Sequence, residues 1–152
     1  MSNDYLQNYV DNMILELQRK REDDCKLNLK NLIEELEKLP KELKKNKVMI
    51  DMNGFYDIKV YATGIDSYRG YYSDLAIEYS LNKKDGLTVN QLIKKLKQAI
   101  GKTFIGYKGG EFVMHEGTVV WLGNYGKSTG RQITGIDNFY GEIFLQNEKV
   151  ED

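Results

Sequence analysis

The stretch Val48–Ala62, VMIDMNGFYDIKVYA, is where the chain changes period. Val48, Ile50 and Met52, and then Tyr56, Ile58, Val60 and Ala62, recur at every second position, the pattern of strands with one face buried. Asn53-Gly54 separates the two runs and is the strongest short hairpin signal in the chain. A third strand reads Leu75, Ile77, Tyr79.

Upstream of this stretch the period is helical. No glycine occurs there, and Pro40 is the single proline of the chain. Leu6, Val10, Met13 and Leu17 recur at helical spacing, with Asn3 or Asp4 as an N-cap. Cys25, Leu29, Leu32, Leu36, Leu39 and Leu43 then follow in a heptad seam. The almost wholly charged run Arg19–Lys26 between them slips the register. The reading is one long helix with a phase shift or two helices joined near Asp23-Asp24. Pro40 predicts a break or a fresh helical turn. The heptad face can pack on its own sheet, on the first helix, or on a second subunit, so association of like chains through these helices is one expectation.

Downstream, a helix is predicted from Thr88 to about Ile100, opened by a Thr88/Gln91 capping box and closed by Gly101. Short strands follow near 103–105, 118–122, 132–136 and 140–145. The fold expected is α+β: an N-terminal helical segment (1–46), arm or helix pair, then a domain (47–152) in which an antiparallel sheet carries a packed helix.

Composition narrows the chemistry. The 152 residues include 41% hydrophobic and 30% charged residues, the balance of a globular chain. Lys and Arg total 22 against 23 acidic residues, which argues against a nucleic-acid partner held through phosphates. One cysteine, Cys25, and one histidine, His115, leave no intrachain disulfide and no Cys/His zinc site, and no metal or cofactor is expected. The start Met1–Tyr5 lacks the features of a signal peptide, and no apolar run is long enough for a membrane helix. A soluble, cytoplasmic chain is the expectation.

Gly126-Lys127-Ser128 matches the tail of a P-loop, but Trp121 stands where its first glycine belongs, and Thr129–Ile133 reads as a turn into a strand rather than a helix. His115 beside Glu116 is a weak acid/base pair, because adjacent strand residues point to opposite faces. Cys25 reads as a small buried hydrophobe. Asp66, Asp74 and Glu111 read as turn or surface carboxylates before they read as metal or ribose ligands.

Eleven tyrosines are present, and several fall in three glycine-rich loops near residues 64–74, 106–110 and 123–130. Tyrosine offers a flat face for a base, Lys and Arg neutralise phosphate, and glycine amides approach an anion closely. The loops therefore nominate Tyr68, Arg69, Tyr71, Lys108, Gly109, Gly110, Tyr125 and Lys127 as a site for a small nucleotide-like, phosphate-bearing molecule. The plainer reading is ordinary β-turns and sheet packing. No residue is nominated as catalytic, so binding without turnover leads. An inhibitor that docks on a protein, and an enzyme on nucleotides using His115, Asp66 or Glu111, stand as alternatives.

The stretches DSYRGYYSDLA (66–76) and GKTFIGYKGGEFVM (101–114), with Val120-Trp121 and Asn124-Tyr125-Gly126, resemble a group of uncharacterised small proteins encoded by bacteriophages. The resemblance spans roughly residues 56 to 136 and leaves out the helical start. It implies an accessory role inside a bacterial host: countering defence by sequestering a nucleotide signal, or by binding a defence protein.

Overall fold

The computed structural model describes residues 2–25, 27–52, 58–68, 73–106, 109–124 and 127–150. The protein is α+β. Helix α1 (Ser2–Asp24) is followed by α2 (Leu29–Glu37), a short 3-10 turn (Lys41–Leu43), and strands β1 (Val48–Ile50), β2 (Tyr61–Ser67) and β3 (Leu75–Ser80). Helix α3 (Val89–Ala99) precedes β4 (Thr103–Ile105), β5 (Glu111–Val113), β6 (Val120–Asn124), β7 (Lys127–Phe139) and β8 (Glu142–Lys149).

Six strands close into a barrel in the order β1-β2-β3-β6-β7-β8, and β4-β5 forms a separate two-stranded sheet. The sheet is mixed rather than wholly antiparallel. β1 runs parallel to β8, and β3 parallel to β6. Parallel neighbours need a long crossover. The chain between Ser80 and Val120, which carries α3 and the β4-β5 hairpin, supplies one.

Strand alternation sorts the side chains. Val48, Ile50, Ile77, Val120, Leu122, Ile143 and Leu145 point into a core shared with Leu29, Leu32 and Leu36 of α2 and with Val89, Leu92 and Leu96 of α3. The heptad seam thus packs on the protein's own barrel. Asn28 and Asn31 form a reciprocal capping box that starts α2. Past Pro40 the chain takes the 3-10 turn, as the proline predicts. Thr88 and Gln91 form the expected box at the start of α3, and Gly101 has φ +83 beyond its end. The break after Asp24 makes α1 a helix of its own, with Leu6 to Leu17 exposed throughout.

The hairpin signal Asn53-Gly54 lies outside the described residues. The strand expected at 140–145 begins later, because Tyr140 (φ 51) and Gly141 (φ 87) form the two-residue turn joining β7 to β8. Positive φ at both positions matches a type I′ hairpin.

Candidate functional site: a lysine-lined cleft on the barrel wall

Outward-facing residues of neighbouring strands meet on one side of the barrel. Met49 pairs with Tyr61 across β1/β2 and with Phe144 across β1/β8, and the three form a small apolar cluster. Met49 and Tyr61 become the floor of a cleft of about 320 Å³. Among the described residues four lysines, Lys45, Lys47, Lys59 and Lys83, line it against a single carboxylate, Glu142.

Local structure holds the walls. Asn46 donates through Nδ2 to the Gly141 carbonyl at 3.0 Å, tying the segment before β1 to the β7–β8 turn. The Lys47 ammonium donates to the Gly86 carbonyl. Gly86 lies so close to the floor that a Cβ there would stand 3.0 Å from Tyr61 Cβ, which brings the Lys83–Asp85 turn over the cleft. Lys59 and Glu142 form an exposed ion pair at 3.0 Å, and the hydrogen bond from Lys59 to that carboxylate raises the lysine pKa. Among the described residues Lys45 and Lys83 form no ion pair, so two cations on the rim stay uncompensated.

Of the loop residues nominated from sequence, Tyr68, Gly109, Gly110 and the backbone of Lys127 are among the described parts, and none of these four lines the lysine cleft. Tyr68 is buried, its ring stacked on Trp121 at 4.6 Å between centroids and 5° between planes, and its hydroxyl accepts from the Gly130 amide at 2.9 Å. One ring face and the hydroxyl are thereby occupied by the protein, which makes Tyr68 a packing residue. Gly109 and Gly110 belong to the β4–β5 turn, where the Gly109 amide donates to the Gly106 carbonyl rather than standing open for an anion. Lys127 begins β7 with its backbone paired to Asn124. Arg69, Tyr71, Lys108 and Tyr125 lie outside the described residues.

Asp74, Asp66, His115 and Cys25 have structural partners, and Glu111 is exposed on β5. Asp74 is fully buried and accepts from Trp121 Nε1 at 2.8 Å. Asp66 accepts from the amide of its own neighbour Ser67. His115 accepts at Nδ1 from the Gly117 amide at 3.0 Å, and its Nε2 meets Glu22 at 3.0 Å, so both ring nitrogens are engaged. Burial, and then the carboxylates of Asp74 and Glu22, push the Cys25 thiol up, away from the thiolate that a nucleophile needs. No group of three or more metal-ligating side chains occurs among the described residues, and no helix among them is long and apolar enough to cross a membrane.

No family model matches the chain, and none of the curated proteins or solved structures compared with it does either.

The cleft was hidden in the sequence for a simple reason. Lys45, Lys47, Lys59 and Lys83 read one by one as solvated surface charge. The only local signal was the density of lysine in residues 44–47, next to the first strand.

Proposed function

We propose that the chain binds a small phosphate-bearing molecule without turning it over, and that the lysine cleft is where it does so. The observation that carries this is four lysines around one apolar floor, with Glu142 the one carboxylate among the described lining residues. A volume of about 320 Å³ is at the lower end of small-ligand sites. Ammonium groups serve as point charges for phosphate, and the side chains of Met49 and Tyr61 give apolar contact to the rest of the molecule. Glycine-loop amides are not needed in this arrangement.

A nucleotide-like ligand, sequestered to blunt a host defence, is the fuller form of the proposal; the resemblance to phage proteins and the charge of the cleft support it. Binding without turnover agrees with the engaged nitrogens of His115 and the raised Cys25 thiol. The test is calorimetric titration with inorganic pyrophosphate and with AMP. Binding that weakens with added salt and with loss of the rim lysines supports the site. The absence of heat with both probes, or binding untouched by those substitutions, rejects it.

A further inference from the structure

Helix α1 is 23 residues long, about 35 Å at the usual helical rise. Glu22 near its end meets His115, and Cys25 just after it packs beside Tyr68 and Trp121, so this end is fastened to the body. The rest carries a stripe that no other described part of the chain covers. Leu6, Tyr9, Val10, Met13, Ile14 and Leu17 each expose between 45% and 60% of their surface. Their spacing places all six along one side of the helix.

We infer that α1 pairs with α1 of a second copy, antiparallel, along this stripe. Three arguments support a second copy in that orientation. The first is the seam. Leu6, Val10, Met13 and Leu17 are separated by 4, 3 and 4 residues, the a/d pattern of a two-helix seam. In an antiparallel pair Leu6 meets Leu17 of the second copy, and Val10 meets its Met13, so the seam complements itself.

The second is area. The six side chains together expose roughly 600 Å², and burying them on both copies removes about 1,200 Å² before the polar flanks are added, the threshold of specific interfaces. The third is charge. A parallel pair would set Arg19-Lys20-Arg21 against the same run, and Glu22-Asp23-Asp24 against theirs. The antiparallel pair separates both runs, and it places the two barrels at opposite ends of the helix pair. This inference does not rest on the anion-binding reading; the two stand or fall separately.

Sedimentation equilibrium of the full chain tests it. A particle of twice the 17.6 kDa chain mass is expected at about 100 µM. Val10→Glu with Met13→Glu should return the chain to monomer, and Leu15→Glu on the opposite side should leave the dimer intact. Trp121 fluorescence of each variant checks that the barrel is folded. Orientation is read by oxidising chains in a Cys25→Ser background. A mixture of Leu6→Cys and Leu17→Cys chains should form the mixed disulfide, and Leu6→Cys alone should not crosslink. A monomer at that concentration, a dimer that survives the double glutamate variant, or a disulfide formed by Leu6→Cys alone overturns the proposal.

Discussion

The hydroxyl of Tyr68 accepts a hydrogen bond from the Gly130 amide at 2.9 Å, joining the end of β2 to a bulged part of β7. Gly130 has φ +71, a conformation that glycine adopts freely, and its carbonyl accepts from Val150. The Tyr68 ring lies flat on Trp121, whose Nε1 donates to buried Asp74. One tyrosine thus covers a polar network on the outer wall of the barrel.

Tyr68→Phe should cost about 1 kcal/mol, the loss of one hydrogen bond to a half-buried amide. Tyr68→Ala should cost roughly 3 kcal/mol or more, because it uncovers Trp121. Urea unfolding followed by Trp121 fluorescence reads both. If Tyr68 instead stacked on a ligand, its removal would abolish anion binding while leaving stability nearly unchanged; the opposite pattern is expected.

At the cleft, Lys45→Ala with Lys83→Ala should weaken pyrophosphate binding by about tenfold, as the loss of two exposed charge contacts implies. Lys94→Ala with Lys95→Ala, on the exposed face of α3, should leave it unchanged. Glu142→Gln should strengthen binding about threefold, because it removes a lining carboxylate and frees the Lys59 ammonium. Calorimetry at low and high salt gives all three. Weaker binding by the Glu142 variant would place the anion elsewhere.

The Cys25 thiol should react slowly. Burial and two nearby carboxylates raise its pKa in the folded protein. The unfolded chain therefore ionises first as pH rises past about 8.5, and from there upward this group lowers stability. Iodoacetamide should label native Cys25 more slowly at pH 8 than urea-unfolded chain, and Cys25→Ala should flatten the alkaline end of the stability profile.

Tyr140 holds φ 51 at an exposed turn position where side chains other than Asn, Asp and Gly are strained. Its ring packs edge-on against Phe139 at 4.7 Å between centroids. Tyr140→Asn should stabilise the β7–β8 hairpin by about 0.5 kcal/mol or more, because relief of the backbone strain outweighs that edge-on packing. Thermal unfolding measures it, and a lower melting temperature contradicts the turn assignment.

Features made by residues within a few positions of one another were legible in the sequence. The Thr88/Gln91 box, the positive φ of Gly101, the turn after Pro40 and strand β3 each depend on a short window of backbone and side-chain hydrogen bonds or on period alone, whereas the choice between one shifted helix and a break after Asp24 was left to the tertiary structure. The α+β class followed from the change of period at Val48. Tertiary structure decided what depends on distant partners. Parallel joins between β1 and β8 and between β3 and β6 close the barrel, and no local pattern announces which strands become neighbours. The heptad leucines of α2 turned to their own core because the barrel offers them more apolar surface than a three-turn seam. Tyr68 became a cover for Trp121, and lysines from three separate segments met over Met49 and Tyr61, because register and closure bring together charges that the sequence keeps apart.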